Sequence, residues 1–364
     1  MSDVITEVRG RVGFITLNRP QALNALSLSM IRSLTACLLA WQQDDQVQAV
    51  AIRGCNKSGP FGAFCAGGDI RFFHQALLGG DPSTEDFFTE EYTLNHLIHS
   101  YTKPFIAFMD GVVMGGGMGI SQGASHRLVT ARTKMAMPET TIGLFPDVGG
   151  GYFLSRCPGA AGEWLALTGT TLGAGDAIAL GLADHCIDVA QLEQAWAALG
   201  QFDLVDAPHI DALIATYSIA ACALLTGVRG QIDHYFSLAT VADMVQALEN
   251  DPSGWAQHNA ALLRQRSPLM LHVSLVQIRR ARSMTVAQDL RMERDMIRHV
   301  FYPAHLQRRA GQIEAAEGIR ALAIDKDHTP QWLPARIEEV TPEMVLPFFD
   351  SPWPEHSHPL RALA

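Results

Sequence analysis

Apolar residues Val12, Phe14, Ile15 and Leu17 sit between Arg11 and Asn18, and the turn signal Asn18-Arg19-Pro20 follows, which predicts a first strand. Ser27 is placed to cap a helix. Its apolar stripe of Leu28, Ile31, Leu34, Leu38 and Trp41 recurs at spacings of three and four, until the polar run Gln42-Gln43-Asp44-Asp45 stops it. Residues 47–53 and 105–109 predict further strands, and 128–130 and 136–137 add strand-like pieces. The chain from Gly111 to Gly119 passes from a strand into glycines and on into a helix. The order is strand, strand, helix, repeated, which predicts an α/β fold for the first part of the chain. Beyond about residue 205 glycine thins out, and apolar residues at helical spacing predict helices near 207–226, 238–249, 252–266, 268–282 and 285–299. Pro330, Pro334, Pro342, Pro347, Pro352, Pro354 and Pro359 then exclude long helices and predict an irregular tail. The shifts in texture divide the chain at 205/206 and 330/331.

With 364 residues, 48% of them hydrophobic and 18% charged, the chain has ample material for a packed core. Its formal net charge of -10 supplies no basic field for a nucleic-acid backbone, so no nucleic-acid partner is expected. The six cysteines are scattered without a C-x-x-C pair and read as reduced thiols. Asp3 and Glu7 stand where a secretory signal needs basic and then apolar residues, which gives a cytoplasmic expectation. The apolar stretch at 212–228 falls short of the ~20 residues of a membrane span, so no membrane partner is expected.

The chemistry concentrates in three glycine clusters, at 67–68, 115–119 and 149–151, and in one acidic segment. Glycine lets backbone N–H groups approach a ligand closely, and such amides can hold an oxyanion. Each cluster alone reads more readily as a packing turn than as a functional one. Segment 137–151 sets Glu139 and Asp147 eight residues apart among apolar and glycine residues, where an unpaired charge is costly. A catalytic pair and a structural one both fit that pattern.

Asn18-Arg19-Pro20 with Asn24-Ala25-Leu26, then Phe64-Cys65-Ala66-Gly67-Gly68-Asp69-Ile70, the run Gly111 to Gly119, and Met137-Pro138-Glu139 together resemble the crotonase superfamily of enoyl-CoA hydratases and isomerases. The resemblance implies a crotonase-like ββα superhelix with a mostly helical C-terminal region. It also implies an acyl-CoA-binding catalytic core over 1–205, a helical region over 206–330 and a tail over 331–364. Carried over by position, the oxyanion-holding amides are those of Gly116 and Ala66, with Gly67, Gly68, Asp69 and Gly115 lining the substrate. Gly119 stands where the hydratases carry a glutamate, which counts against two-glutamate hydration.

A narrower group shares that departure. Glu90-Glu91-Tyr92, the segment Met137 to Gly151 with Tyr152 after it, and Glu317-Gly318-Ile319-Arg320-Ala321 through Asp325-Lys326-Asp327 are similar to the 3-hydroxyisobutyryl-CoA hydrolases of valine breakdown. That likeness implies an acyl-CoA thioester hydrolase. Glu139 would act as general base or nucleophile, Asp147 would orient water or substrate, and Glu91 would sit at the acyl end. Coenzyme A is then part of the substrate, and neither a further cofactor nor a metal is needed. Hydration or isomerisation of an enoyl-CoA is the alternative. The family's trimers leave a homo-oligomer open. The added stretch Asn56 to Gly62 leaves substrate fit open too.

Two other patterns carry less weight. His96-x-x-His99 lacks a third ligand at metal spacing. Gly119-x-Ser121-x-Gly123 matches the nucleophile elbow of serine hydrolases but follows glycines rather than a strand. Asp69 and Glu91 also have bland readings, as a helix cap and a solvated helix acid.

Overall fold

The computed structural model describes residues 2–201 and 206–364, which fall into two compact units. Each is built from segments distant in sequence.

The first unit comprises Met1–Gly68, Thr93–Ala136 and Thr171–Thr226. Its strands are β1 (Val4–Arg9), β2 (Val12–Leu17), β3 (Ala49–Asn56), β4 (Gly59–Gly62), β5 (Phe105–Met109), β6 (Val112–Met114), β7 (His126–Val129), β8 (Lys134–Ala136), β9 (His185–Ile187) and β10 (Ser218–Ile219). The main sheet runs β1-β2-β3-β5-β7-β9-β10, with β4 folded back onto β3, while β6 and β8 form a separate parallel pair. From β2 to β9 the pairing is parallel, and only β1, β4 and β10 join antiparallel. Parallel strands need cover on both faces, and the fully buried Phe-Ile-Ala-Phe-Met of β5 has the continuous apolar sequence this demands. Trp196 closes one face, packing edge-on to Phe14 with ring centroids 4.8 Å apart and to Phe108 at 5.3 Å.

The predicted helix after Ser27 forms over Leu28–Gln43, with the Ser27 hydroxyl accepting from Met30 N at 3.3 Å. Strand β1 is not foreseen by the hydrophobic pattern, because only Val4 of its residues is buried. The helix expected over 207–226 stops at Tyr217, and Ser218–Ile219 instead pairs with β9, whose outer edge would otherwise be left open.

The second unit comprises Asp69–Tyr92, Met137–Thr170 and Gly227–Ala364. It is helical, with Val241–Asn250, Gly254–Gln265, Pro268–Ala281 and Val286–Phe301 lying close to the predicted spans. Side chains cap their starts: Ser267 accepts from Met270 N, and Thr285 forms a capping box with Gln288. Two helices, Ser83–His99 and Arg229–Phe236, do not emerge from the apolar pattern. The first carries the charged Glu85, Asp86, Glu90 and Glu91, yet buries Phe87, Phe88 and Tyr92; Phe73, Phe87, Phe88 and Phe301 stack into one aromatic cluster. The proline-rich tail makes only short turns such as Pro342–Val345, and anchors itself by burying Phe348 and Leu360.

These interleaved units do not follow the boundaries expected at 205/206 and 330/331, and residue 205 itself lies outside the described residues. Composition reports local texture, whereas the units are set by contacts between remote segments.

Candidate active site

In the first unit the glycine clusters at 67–68 and 115–119 form a backbone cradle. Gly67 has φ +109°, and a Cβ there would lie 3.4 Å from Met114 O and 3.7 Å from Gly116 N, so the 66–68 turn lies beside the start of the helix Gly116–Gln122. Gly116 is the first residue of that helix, where a backbone N–H has no intrahelical acceptor. The Ala66 amide, by contrast, already donates to Leu23 O at 3.0 Å. This corrects the expectation that Ala66 supplies a free donor: its N–H is spent on the fold. Gly115 adopts φ 48° ahead of the helix and donates to Ala136 O at 3.3 Å. Gly119 lies inside the helix, donating to Gly115 O, and offers no side chain.

The carboxylates lie in the second unit. Glu139 opens a short 3-10 turn, Glu139–Ile142, which Gly143 closes in the left-handed conformation. Glu91 and Tyr92 come from the helix beginning at Ser83, and Asp147 from the loop before the helix Gly150–Leu154. Tyr92 donates its hydroxyl to Asp147 Oδ2 at 2.8 Å. Glu91 Oε1 and Glu139 Oε2 are buried with no hydrogen-bond partner among the described residues.

Burial pushes all three acids above the usual carboxylate range. Glu91 rises well above it, through desolvation and then through Asp147 and Glu139, and Glu139 does so through desolvation and then Asp147. Asp147 rises least, to about 6, because Tyr92 stabilises its charged form against the cost of burial. Acids gathered in one buried cluster but in unequal environments are the kind of group from which acid and base roles are drawn.

A second acidic pair, not picked out from sequence, lies on the helix Val286–Phe301. Glu293 accepts from Gly149 N at 2.7 Å, from Gly151 N at 2.9 Å and from Gln277 Nε2 at 3.0 Å. Asp289, one turn earlier, accepts from Tyr152 N at 2.7 Å. Both are fully buried, and burial pushes Asp289 up to about 7. Their sequence signal, two acids four residues apart beside Arg291, Arg294 and Arg298, is that of a solvated salt-bridged face.

The weaker patterns resolve into structure. Asp69 caps Ile70–Gly79 by accepting from Phe72 N at 3.4 Å. Ser121 lies within a helix and donates back to Gly117 O at 2.8 Å, not at an exposed elbow. Among the described residues no group of three or more His, Cys, Asp and Glu side chains is arranged to hold a metal ion, and no helix is long and apolar enough to cross a membrane. All six cysteines are free thiols.

Residues 12–349 match the family described as enoyl-CoA hydratase/isomerase. Curated relatives include the mitochondrial 3-hydroxyisobutyryl-CoA hydrolases of Gallus gallus, 37% identical over 94% of this chain and 88% of the relative, and of Bos taurus, 37% identical over 96% and 89%. Among solved structures, a carnitinyl-CoA dehydratase from Mycobacterium thermoresistibile matches with TM-score 0.86 and 36% identity over 96% of this chain and 97% of its own. An enoyl-CoA hydratase from Rhodobacter sphaeroides matches with TM-score 0.85 and 36% identity over 96% and 98%. The curated relatives overturn the cytoplasmic expectation, since both are named as mitochondrial. Asp3 and Glu7 were no basis for it: a location is read by receptors from targeting segments, and Glu7 belongs to strand β1. The extent of these matches, on a fold of parallel strands and glycine turns, means that the chain belongs to the enoyl-CoA hydratase/isomerase, or crotonase, family.

Proposed function

We propose that this chain hydrolyses acyl-CoA thioesters, with 3-hydroxyisobutyryl-CoA as substrate and 3-hydroxyisobutyrate and free CoA as products, a step of valine breakdown. The observation that carries the reading is the buried Glu91, Glu139 and Asp147 cluster, in which Glu139 Oε2 is unclaimed by any donor among the described residues. The names of the curated relatives support the choice of substrate.

In this reading a water oxygen bonds to the thioester carbonyl carbon, and the carbon–sulfur bond breaks. The negative charge that builds on the carbonyl oxygen is assigned to the backbone amides of Gly116 and Gly68, the latter replacing Ala66. Each donor of this kind is worth about 2.7–4 kcal/mol of barrier. Glu139 takes the proton of the attacking water; in the alternative route Glu139 itself attacks the carbonyl carbon, the CoA thiolate leaves, and water then hydrolyses the resulting mixed anhydride to regenerate the Glu139 carboxylate. A proton from the same cluster then reaches the departing sulfur. Asp147, held by the Tyr92 hydroxyl, orients the water or the substrate. Substrate contact is assigned to Glu91, Gly67 and Gly115, whereas Asp69 serves as a cap.

A second reading, hydration of an enoyl-CoA, is favoured by the two solved structures named as hydratase and dehydratase. It has to find a second acid, because Gly119 presents none. Purified protein given 3-hydroxyisobutyryl-CoA is expected to release thiol detectable with a thiol reagent, and to leave crotonyl-CoA largely unhydrated. Rapid loss of the crotonyl double bond with no thiol from the first substrate would replace the hydrolase reading with the second one.

A further inference from the structure

We propose that Glu293 is a positioning residue for this reaction, holding the Asp147-Val148-Gly149 turn in the one backbone conformation that aims the Asp147 carboxylate. The inference rests on the hydrolase reading and adds to it a residue from a helix more than a hundred positions away.

The turn needs an external hold. Val148 has φ +57° and Gly149 φ +87°, so a β-branched residue occupies the left-handed region directly after Asp147. For such a residue that conformation costs about 1–3 kcal/mol and persists only when the surroundings impose it. Within the turn itself only the Gly150 N–H to Asp147 O bond at 2.8 Å restrains the backbone, and Gly149 has no side chain with which to cap the helix Gly150–Leu154. Glu293 supplies the missing acceptor twice, through Oε2 to Gly149 N and Oε1 to Gly151 N. On the other side of Asp147, Gln277 Nε2 donates to Pro146 O at 2.6 Å and also to Glu293 Oε1 at 3.0 Å. The backbone is thus tied before and after Asp147 to the same carboxylate. Glu293 is fully buried, and a carboxylate is an expensive anchor to bury unless its acceptors are all in use.

The test uses the full chain with Glu293→Gln, which keeps the side-chain shape but leaves one acceptor oxygen, and Gln277→Leu, which cuts the link to Pro146. Thermal unfolding is recorded for both, and kcat and KM are measured separately by thiol release from 3-hydroxyisobutyryl-CoA. Glu293→Gln is expected to fold and to lose about tenfold to a hundredfold in kcat, the scale of a misplaced catalytic group, with KM changed by less than about threefold. Gln277→Leu is expected to shift kcat the same way by a smaller factor. A folded Glu293→Gln with unchanged kcat overturns the proposal, as does a loss that only tracks the unfolded fraction. If Glu293→Gln does not fold, Gln277→Leu decides, and an unchanged kcat there overturns it. Absence of thiol release by the wild-type chain counts against the hydrolase reading alone. The same variants are then measured on crotonyl-CoA hydration, where an unaltered kcat overturns the role of Glu293.

Discussion

The two units carry chemistry of opposite kinds. In the sheet unit, function is assigned to main-chain amides that glycine leaves exposed, so the requirement falls on space and backbone angle. In the helical unit it falls on carboxylates whose behaviour comes from burial, mutual repulsion and a tyrosine hydroxyl. A change in the first kind of site is a steric event; in the second it is an electrostatic one. Substitutions should therefore separate cleanly into those that break the fold and those that break the reaction.

Glu139→Gln is the sharpest test on the electrostatic side. It should cost at least about a thousandfold in turnover, roughly 4 kcal/mol of barrier, while a CoA ester still binds by calorimetry. Near-normal turnover would remove Glu139 from the mechanism. On the steric side, Gly117→Ala puts a Cβ 2.3 Å from Cys65 O, a backbone atom that cannot step aside. A loss of about 3 kcal/mol of stability, or insolubility, is expected; an unshifted Tm would show that the cradle gives way more easily than its packing implies.

Smaller effects should follow from the acids' environment. Tyr92→Phe removes the donor to Asp147 and raises its pKa above about 6, so the acid limb of kcat/KM should move to higher pH. An unmoved limb would detach Asp147 from the rate profile. Asp147 and Asp289 are raised from the usual 3.8 to about 6 and about 7 respectively, so each keeps its proton in the fold after the unfolded chain has lost it. Their stabilising contribution is complete below about pH 4 and is lost as pH rises through 6 and then 7. Asp289→Asn should flatten the fall in Tm across that window by a few degrees, and an unchanged slope would contradict the shift.

The same contrast decides what was legible in the sequence. The glycine turns and the acids of segment 137–151 could be read because each lies within one short run, where spacing alone suggests the chemistry. That Ala66 could not serve as a free donor depended on Leu23, a residue of another loop, whose carbonyl claims its amide. Glu293 and Asp289 were illegible because their meaning comes from amides at Gly149, Gly151 and Tyr152, while their own neighbourhood looks solvated. Tyr92 stands within a legible motif, but only the fold puts its hydroxyl on Asp147. The helix Ser83–His99 was missed for a related reason: its acids mask the aromatic face it buries.

The most direct test follows the oxygen of water. With heavy-oxygen water and 3-hydroxyisobutyryl-CoA as substrate, the label should appear by mass spectrometry in the carboxylate of released 3-hydroxyisobutyrate, in step with free CoA thiol. An unlabelled, unreleased acyl group, with label entering only the β-carbon hydroxyl of an intact thioester formed from crotonyl-CoA, would contradict the account.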